Sequence, residues 1–228
     1  MRVTEARLDV VRVFVASDGR GGNPLGVFLD PVRFATADHQ AIAADLGFSE
    51  TVFVEDRVAA RLRIYTPALE LPLAGHPLVG TSWLLHREGP RPTVLRPPAG
   101  EVATWQGGGL TWIRARPEDG PEFDFVQLDS AAAVDSLRAA PDGGGRTVAW
   151  AWEEEVSATV RARAFLPDYG VPEDEATGAA ALRLCARLRR RVEIHQGDAS
   201  VVHARPAGDT VELGGRVEAV EVREYTRR

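Results

Sequence analysis

The stretch "ELPLAGHPLVGTSWLL", residues 70–85, sets a histidine between a glycine and a proline, directly ahead of an almost wholly apolar run. A leucine at 76 would pack better, so the ring is there for its chemistry or its hydrogen bonds. Gly75 and Pro77 read as a helix start, and "GHPLVGTSWLLHRE", residues 75–88, as the helix that follows. A helix begins with unpaired backbone N–H groups and a partial positive charge, which makes its first turn a seat for an anion. Glycine at such a start lets the backbone approach whatever sits there. His76 is therefore a titratable group held at an anion-attracting helix end.

A second small-residue helix reads over "EATGAAALRLCARLRRR", residues 175–191, opening at Gly178. Behind the first helix comes "VLRPPAGEVAT" (94–104) and behind the second "VEIHQGDASVV" (192–202). Ahead of the first helix, strands are expected in "RLDVVRVFVAS", "GNPLGVFLD", "SETVFVE" and "ARLRIYTP", with a helix over "DHQAIAADLG", residues 38–47, stopped by Gly47. Ahead of the second, the pattern restarts with a strand in "DFVQLD", a helix over "DSAAAVDSLRAA" (129–140) and a "PDGGG" turn (141–145). Strands follow in "TVAWAW" and "VRARAFLP". Each half closes on a meander of short strands. The chain reads as a duplicated α+β unit, with one domain over 1–118 and a second over 119–228. Packed about a pseudo-twofold axis, the two helix starts would face one cleft, with His76 at one mouth and "EDEATG" (173–178) at the other.

Composition narrows the function. The 228 residues are 44% hydrophobic and 26% charged, with no apolar run of the roughly 20 residues a membrane span needs. The N-terminus has no apolar signal core, and the single Cys185 has no partner for an internal disulfide, so a reducing cytoplasm is expected. A formal net charge of −6 without a basic stripe argues against nucleic acid. No phosphate loop ends "DGRGGNPLG", no G-x-S-x-G elbow occurs, and His39, His86, His195 and His203 show no metal-ligand spacing. Those four are read as surface or sheet residues, and no metal is expected.

Three residues carry acid–base chemistry. Glu50 stands at a strand entrance ahead of "TVFV", where apolar neighbours would raise its pKa toward neutrality and make it a base; the plainer reading is a solvated edge glutamate. His76 can take and give a proton near pH 7, or can be a structural histidine. Asp174 either acts in the site or caps a helix, and Glu175 beside it reads as a solvated partner of the helix dipole. Thr177 and Gly178 would offer N–H groups to a substrate carboxylate. Asn23 binds substrate or holds a turn.

"GNPLGVFLD", "LGFSETVFV", "LRIYTPALELPLAGHPLVGT" and "YGVPEDEATGAAA" resemble, in order, the signature segments of the phenazine-biosynthesis PhzF family, and the similarity runs from about residue 8 to the final "LGGRVEAVEVREY". The resemblance implies the diaminopimelate epimerase-like fold, in which each of two domains is a mixed sheet wrapped around a central helix, and a homodimer. It implies a cofactor-free isomerase of a small carboxylate-bearing metabolite, working by proton abstraction and redelivery in secondary metabolism. Glu50, His76 and Asp174 fall on its catalytic positions, and Asn23, Ser49, Gly75, Thr177, Gly178 and Ala179 are read as the substrate-binding residues around them. Diaminopimelate epimerases use two thiols, which one cysteine excludes. Departures from the family pattern are Glu175 in place of proline, Ala179 in place of serine, and a second domain shortened between about 120 and 160. These keep two other readings open: a catalytically silent binding module, and a dehydratase using the same base.

Overall fold

A helix apolar on every side has to be buried on every side, and that requirement organises this chain. The computed structural model describes residues 4–30, 34–141 and 145–227, so part of the expected 141–145 turn lies outside the described residues. The first half runs β1 (Thr4–Val15), β2 (Asn23–Phe28), α1 (His39–Leu46), β3 (Glu50–Asp56), β4 (Arg61–Tyr65), β5 (Glu70–Leu71), α2 (Gly75–Glu88), β6 (Val94–Leu95), β7 (Val102–Gly107) and β8 (Leu110–Ala115). The second runs β9 (Asp124–Gln127), α3 (Ala131–Asp135), β10 (Thr147–Glu154), β11 (Thr159–Leu166), β12 (Val171–Asp174), α4 (Gly178–Leu188), β13 (Val192–Gln196), β14 (Ser200–Ala207) and β15 (Thr210–Arg227).

Pairing repeats element for element. In the first half β2 lies parallel to β3, β3 antiparallel to β4 and β4 antiparallel to β5; in the second, β9 lies parallel to β10, β10 antiparallel to β11 and β11 antiparallel to β12. A parallel bridge from Arg61 to Arg96 joins β4 to the end of β6, matching the parallel pairing of β11 with β13. Antiparallel β6–β7–β8 then answers β13–β14–β15. The fold is thus an α+β duplication of the diaminopimelate epimerase-like kind, a mixed sheet around a helix in each half. In α2, every residue from Gly75 to Ser82 is buried, and α4 buries Gly178 to Leu182 with Leu184 and Cys185.

The division read at 118/119 falls in the short 3-10 turn Pro117–Asp119 after β8. The last strand nevertheless belongs to both halves. Its residues 210–214 pair with β14 and 211–215 with β8, after which 216–227 turn onto β1. Of the expected helices, α1, α2 and α4 form within two or three residues of their expected ends. The helix read over 129–140 is corrected to five residues, Ala131–Asp135. Ser130 caps it, its hydroxyl accepting from Ala133 N–H at 3.1 Å, but Val134 is its one buried side chain, too little apolar face to extend a helix. No helix among the described residues is long and apolar enough to cross a membrane.

Candidate active site

Strand β3 is buried on both faces over residues 50–54; Val52 and Val54 enter the larger core, and Glu50, at the strand's first position, shares their face. Its residue is 8% exposed, which sets aside the solvated edge glutamate. The second residue of α2 is His76, 1% exposed, and the last residue of β12 is Asp174, 2% exposed. These three come together from far apart in the chain. Glu50 Oε2 and His76 Nε2 lie 3.4 Å apart, and neither atom has a hydrogen-bond partner among the described residues.

Asn23 ties the group together. Its Nδ2 donates to Asp174 Oδ1 at 2.7 Å and to the Ala176 carbonyl at 2.9 Å, and lies 3.4 Å from His76 Nδ1; its Oδ1 accepts from Ser49 Oγ at 3.0 Å. Asn23 therefore does more than hold a turn. The other Asp174 oxygen accepts from Thr177 Oγ1 at 2.7 Å. Asp174 is thus a fully bonded carboxylate, while Glu50 and His76 each keep a free buried atom.

Electrostatics separate the roles further. Burial, then the nearby Asp174 charge, push the Glu50 pKa well above the usual carboxylate value, against a smaller pull down from Ser49. Burial raises Asp174 as well, opposed by its bonds from Thr177 and Asn23. Two like charges cannot both be held cheaply in one dry pocket, and Asp174 has the donors, so Glu50 is the group that favours its proton. Burial holds His76 down to about 3, so its ring is neutral at pH 7.

Both helix starts meet here. A Cβ added at Gly178 would sit 2.7 Å from Gly75 Cα and 2.8 Å from the His76 nitrogen, closer than side chains tolerate, so glycine is required for the contact. Gly75, Gly178 and Ala179 line a cavity with Glu50, His76, Asp174 and Thr177. Pro121, Phe123 and Tyr169 close it to about 10 Å³, the space of a single water. The Thr177 N–H, expected to face a substrate, instead donates to Gln196 Oε1 at 3.1 Å.

Gln196 was not read from the sequence. Its Nε2 donates to the Asp174 carbonyl at 2.8 Å and to Thr177 Oγ1 at 3.0 Å, fixing the acidic loop from behind. The available signal was a polar residue at the inward position of β13, after buried Val192 and Ile194. Phe123 and Tyr169 were also missed. Two further readings are corrected, on Glu175 and His39, and the one on Cys185 stands. Glu175 is not solvated but ties the β13–β14 turn, accepting from Ser200 Oγ at 2.7 Å and from Asp198 N–H at 3.1 Å. His39 is no surface or sheet residue: it lies on α1, 1% exposed, with its ring stacked on Phe53 at 3.9 Å. Cys185, buried in α4 with its pKa pushed up to about 12, donates to the Arg190 carbonyl and is no nucleophile. Among the described residues no group of three or more histidines, cysteines or carboxylates is arranged to hold a metal ion.

The chain is similar to known proteins over most of its length. A family model described as "Phenazine biosynthesis-like protein" matches residues 11–108. The chain is 34% identical to the trans-2,3-dihydro-3-hydroxyanthranilate isomerase of Pseudomonas aeruginosa, with 91% of each chain covered, and 32% identical to the enzyme of that name from Pseudomonas chlororaphis, with 77% of each covered. Among solved structures, the PhzF-family phenazine biosynthesis protein of Bacillus anthracis superposes with a TM-score of 0.80 at 19% identity, over 97% of this chain and 99% of that one. The chain belongs to the phenazine biosynthesis-like PhzF family and is an isomerase of that type.

Proposed function

We propose that the pocket isomerises a small, cyclic, carboxylate-bearing metabolite by moving one proton, with Glu50 as the carrier and no cofactor taking part. The observation that carries this reading is the pair of free, buried atoms, Glu50 Oε2 and His76 Nε2, aimed together between two abutting helix starts. Deprotonated Glu50 removes a proton from a carbon flanked by unsaturation. Its raised pKa makes it a strong base for a carboxylate, and burial favours the protonated form it becomes. The electron pair left behind spreads through the conjugated system. The first N–H groups of α2 and α4 and the neutral His76 ring face that charge, the preorganised arrangement that lowers such barriers. Glu50, its carboxyl proton exchanging with solvent between the two steps, then delivers a proton at another carbon, so one proton leaves, one arrives, and nothing is oxidised or lost. Asp174 and Asn23 hold His76 and Ser49 in place. A dihydro-hydroxyanthranilate, the substrate named for the Pseudomonas relatives, has the carboxylate, the ring and the activated C–H that this chemistry needs.

Trans-2,3-dihydro-3-hydroxyanthranilate incubated with the enzyme in D2O tests the reading. The native protein is expected to place solvent deuterium in an isomerised product, with the rate rising as pH climbs through the raised Glu50 pKa. Glu50→Gln is expected to slow this at least about a hundredfold. Undiminished exchange in that variant would remove Glu50 as the carrier, and loss of water from the product mass would mark a dehydratase instead. The proposal extends to a homodimer in the cytoplasm. Val220 and Val222, 54% and 58% exposed on the outer part of β15, support the first, and light scattering of the purified chain checks it.

A further inference from the structure

The catalytic cavity is too small for the ring it is proposed to hold, so some part of its wall moves. Part of that wall is Pro121 and Phe123, on the strap of residues 120–123 that leaves the turn after β8, together with Tyr169. Phe123 also lines a second pocket of about 510 Å³, open to solvent and shared with Glu122, Arg146 and Arg183. The strap contributes few side chains to the core, yet its backbone is gripped. Arg183, one turn beyond Ala179 on α4, donates from Nε to the Pro121 carbonyl at 2.6 Å and from Nη2 to the Gly120 carbonyl at 2.9 Å. A planar guanidinium spans two successive carbonyls with parallel N–H groups, which an ammonium cannot copy. Ala179 forms the floor beneath. A Cβ built on Gly120 would touch the Ala179 methyl at 3.5 Å, so the residue that replaces the expected serine lies directly under the strap. Tyr169 is braced from outside, its hydroxyl accepting from Arg146 Nη1 at 3.0 Å.

The geometry points to Arg183 as a positioning residue that latches this strap over the site, and to the second pocket as the space into which Phe123 withdraws when substrate enters or product leaves. Arg183 touches no reacting atom. It acts by keeping water from Glu50, and so by sustaining the dry surroundings in which that carboxylate is a strong base. The assignment rests on the isomerase reading of the pocket for its purpose, but its physical content stands on the latch alone.

Amide hydrogen exchange on Arg183→Met and Arg183→Lys tests the latch without any substrate. Exchange at Gly120 and Asp124, whose N–H groups donate to the Pro117 and Arg146 carbonyls, is expected to quicken at least about tenfold in Arg183→Met, with the β10 and β11 amides unchanged, and to fall between native and Met in Arg183→Lys. Turnover of trans-2,3-dihydro-3-hydroxyanthranilate adds a second readout. Its pH midpoint should shift down toward the ordinary carboxylate range as water reaches Glu50, a shift that simple loss of stability does not produce. Unchanged exchange at Gly120 and Asp124 in folded Arg183→Met overturns the latch whatever the activity. Where Arg183→Met fails to fold, unchanged exchange in Arg183→Lys overturns it equally, since a single ammonium cannot hold both carbonyls. Faster exchange with no turnover by either native protein or variant leaves the latch standing and removes the substrate instead.

Discussion

At the scale of single residues, the buried titratable groups pull stability in opposite directions with pH. His76 and His39 have folded pKa values of about 3 and about 4, against about 6.5 in an unfolded chain. Below pH 6.5 the unfolded chain binds more protons than the fold, so the stability these rings carry is fully present above that pH and is lost as pH falls toward 4 and then 3. Glu50 runs the other way, since its raised pKa gives stability at low pH that fades as pH rises through the folded value. His39 can be isolated from this opposition. It lies outside the proposed site, stacked nearly parallel on Phe53, with both ring nitrogens buried and unpartnered among the described residues. His39→Phe keeps the stack and removes the titration. Urea unfolding of variant and native protein at pH 8 and pH 5 should show the gap between them widen in the variant's favour by about 1–2 kcal/mol at the lower pH. A gap that does not change with pH would mean that His39 keeps its proton in the fold. Asn23 and Gln196 illustrate what a sequence withholds at this scale. Their types announce hydrogen bonding, but their partners lie on other strands, and only pairing across the sheet decides which.

At the scale of elements, legibility followed the strength of the local signal. The α2 boundaries could be read because a Gly-His-Pro start, an apolar body and a closing Gly89 all agree, and α1 because Gly47 adopts the left-handed conformation, φ 69°, that ends a helix. Two-residue strands such as β5 and β6 have no periodicity to read; they exist because a neighbouring strand supplies their hydrogen bonds. The helix expected over 129–140 overreached for a related reason. Its alanines favour helix locally, but with one buried anchor nothing offsets the entropy of ordering more than a single turn. That two glycine helix starts face one cleft was read from the sequence, but that α2 and α4 abut there was not, and the closeness of the contact makes it testable. Gly178→Ala gains about 1 kcal/mol of helix propensity, yet its methyl would press on Gly75 and on the His76 backbone, where overpacking costs about 1–3 kcal/mol. The clash meets backbone, which cannot swing aside, so the variant is expected to be less stable by denaturant unfolding and to turn over more slowly as His76 is displaced from Glu50. A more stable and equally active variant would show that the helix starts have room between them.

At the scale of the whole molecule, the duplication visible in the sequence suggests two units that fold apart, and the pairing argues otherwise. Strand β15 is the last element of the second half, yet its residues 216–227 complete the first half's sheet against β1. Arg12 on β1 bonds Glu218 at 2.9 Å, and Asp45 on α1 accepts from Tyr225 at 2.7 Å, so the tail is fixed by side chains as well. The groups of the proposed site divide in the same manner, Glu50 and His76 from one half and Asp174 from the other, with Asn23 bridging them. Unfolding either half alone would strip β15 from one of its sheets and expose the abutting helix starts to water. Such a chain should lose both halves in one transition. Tryptophans report on each side: Trp83, Trp105 and Trp112 in the first half, Trp150 and Trp152 in the second. In variants keeping tryptophan in only one half, guanidinium midpoints read by fluorescence should coincide with each other and with far-UV circular dichroism. Separate midpoints for the two halves would mean that β15 can leave one sheet while holding the other, and that the pocket between them assembles only after each half has folded.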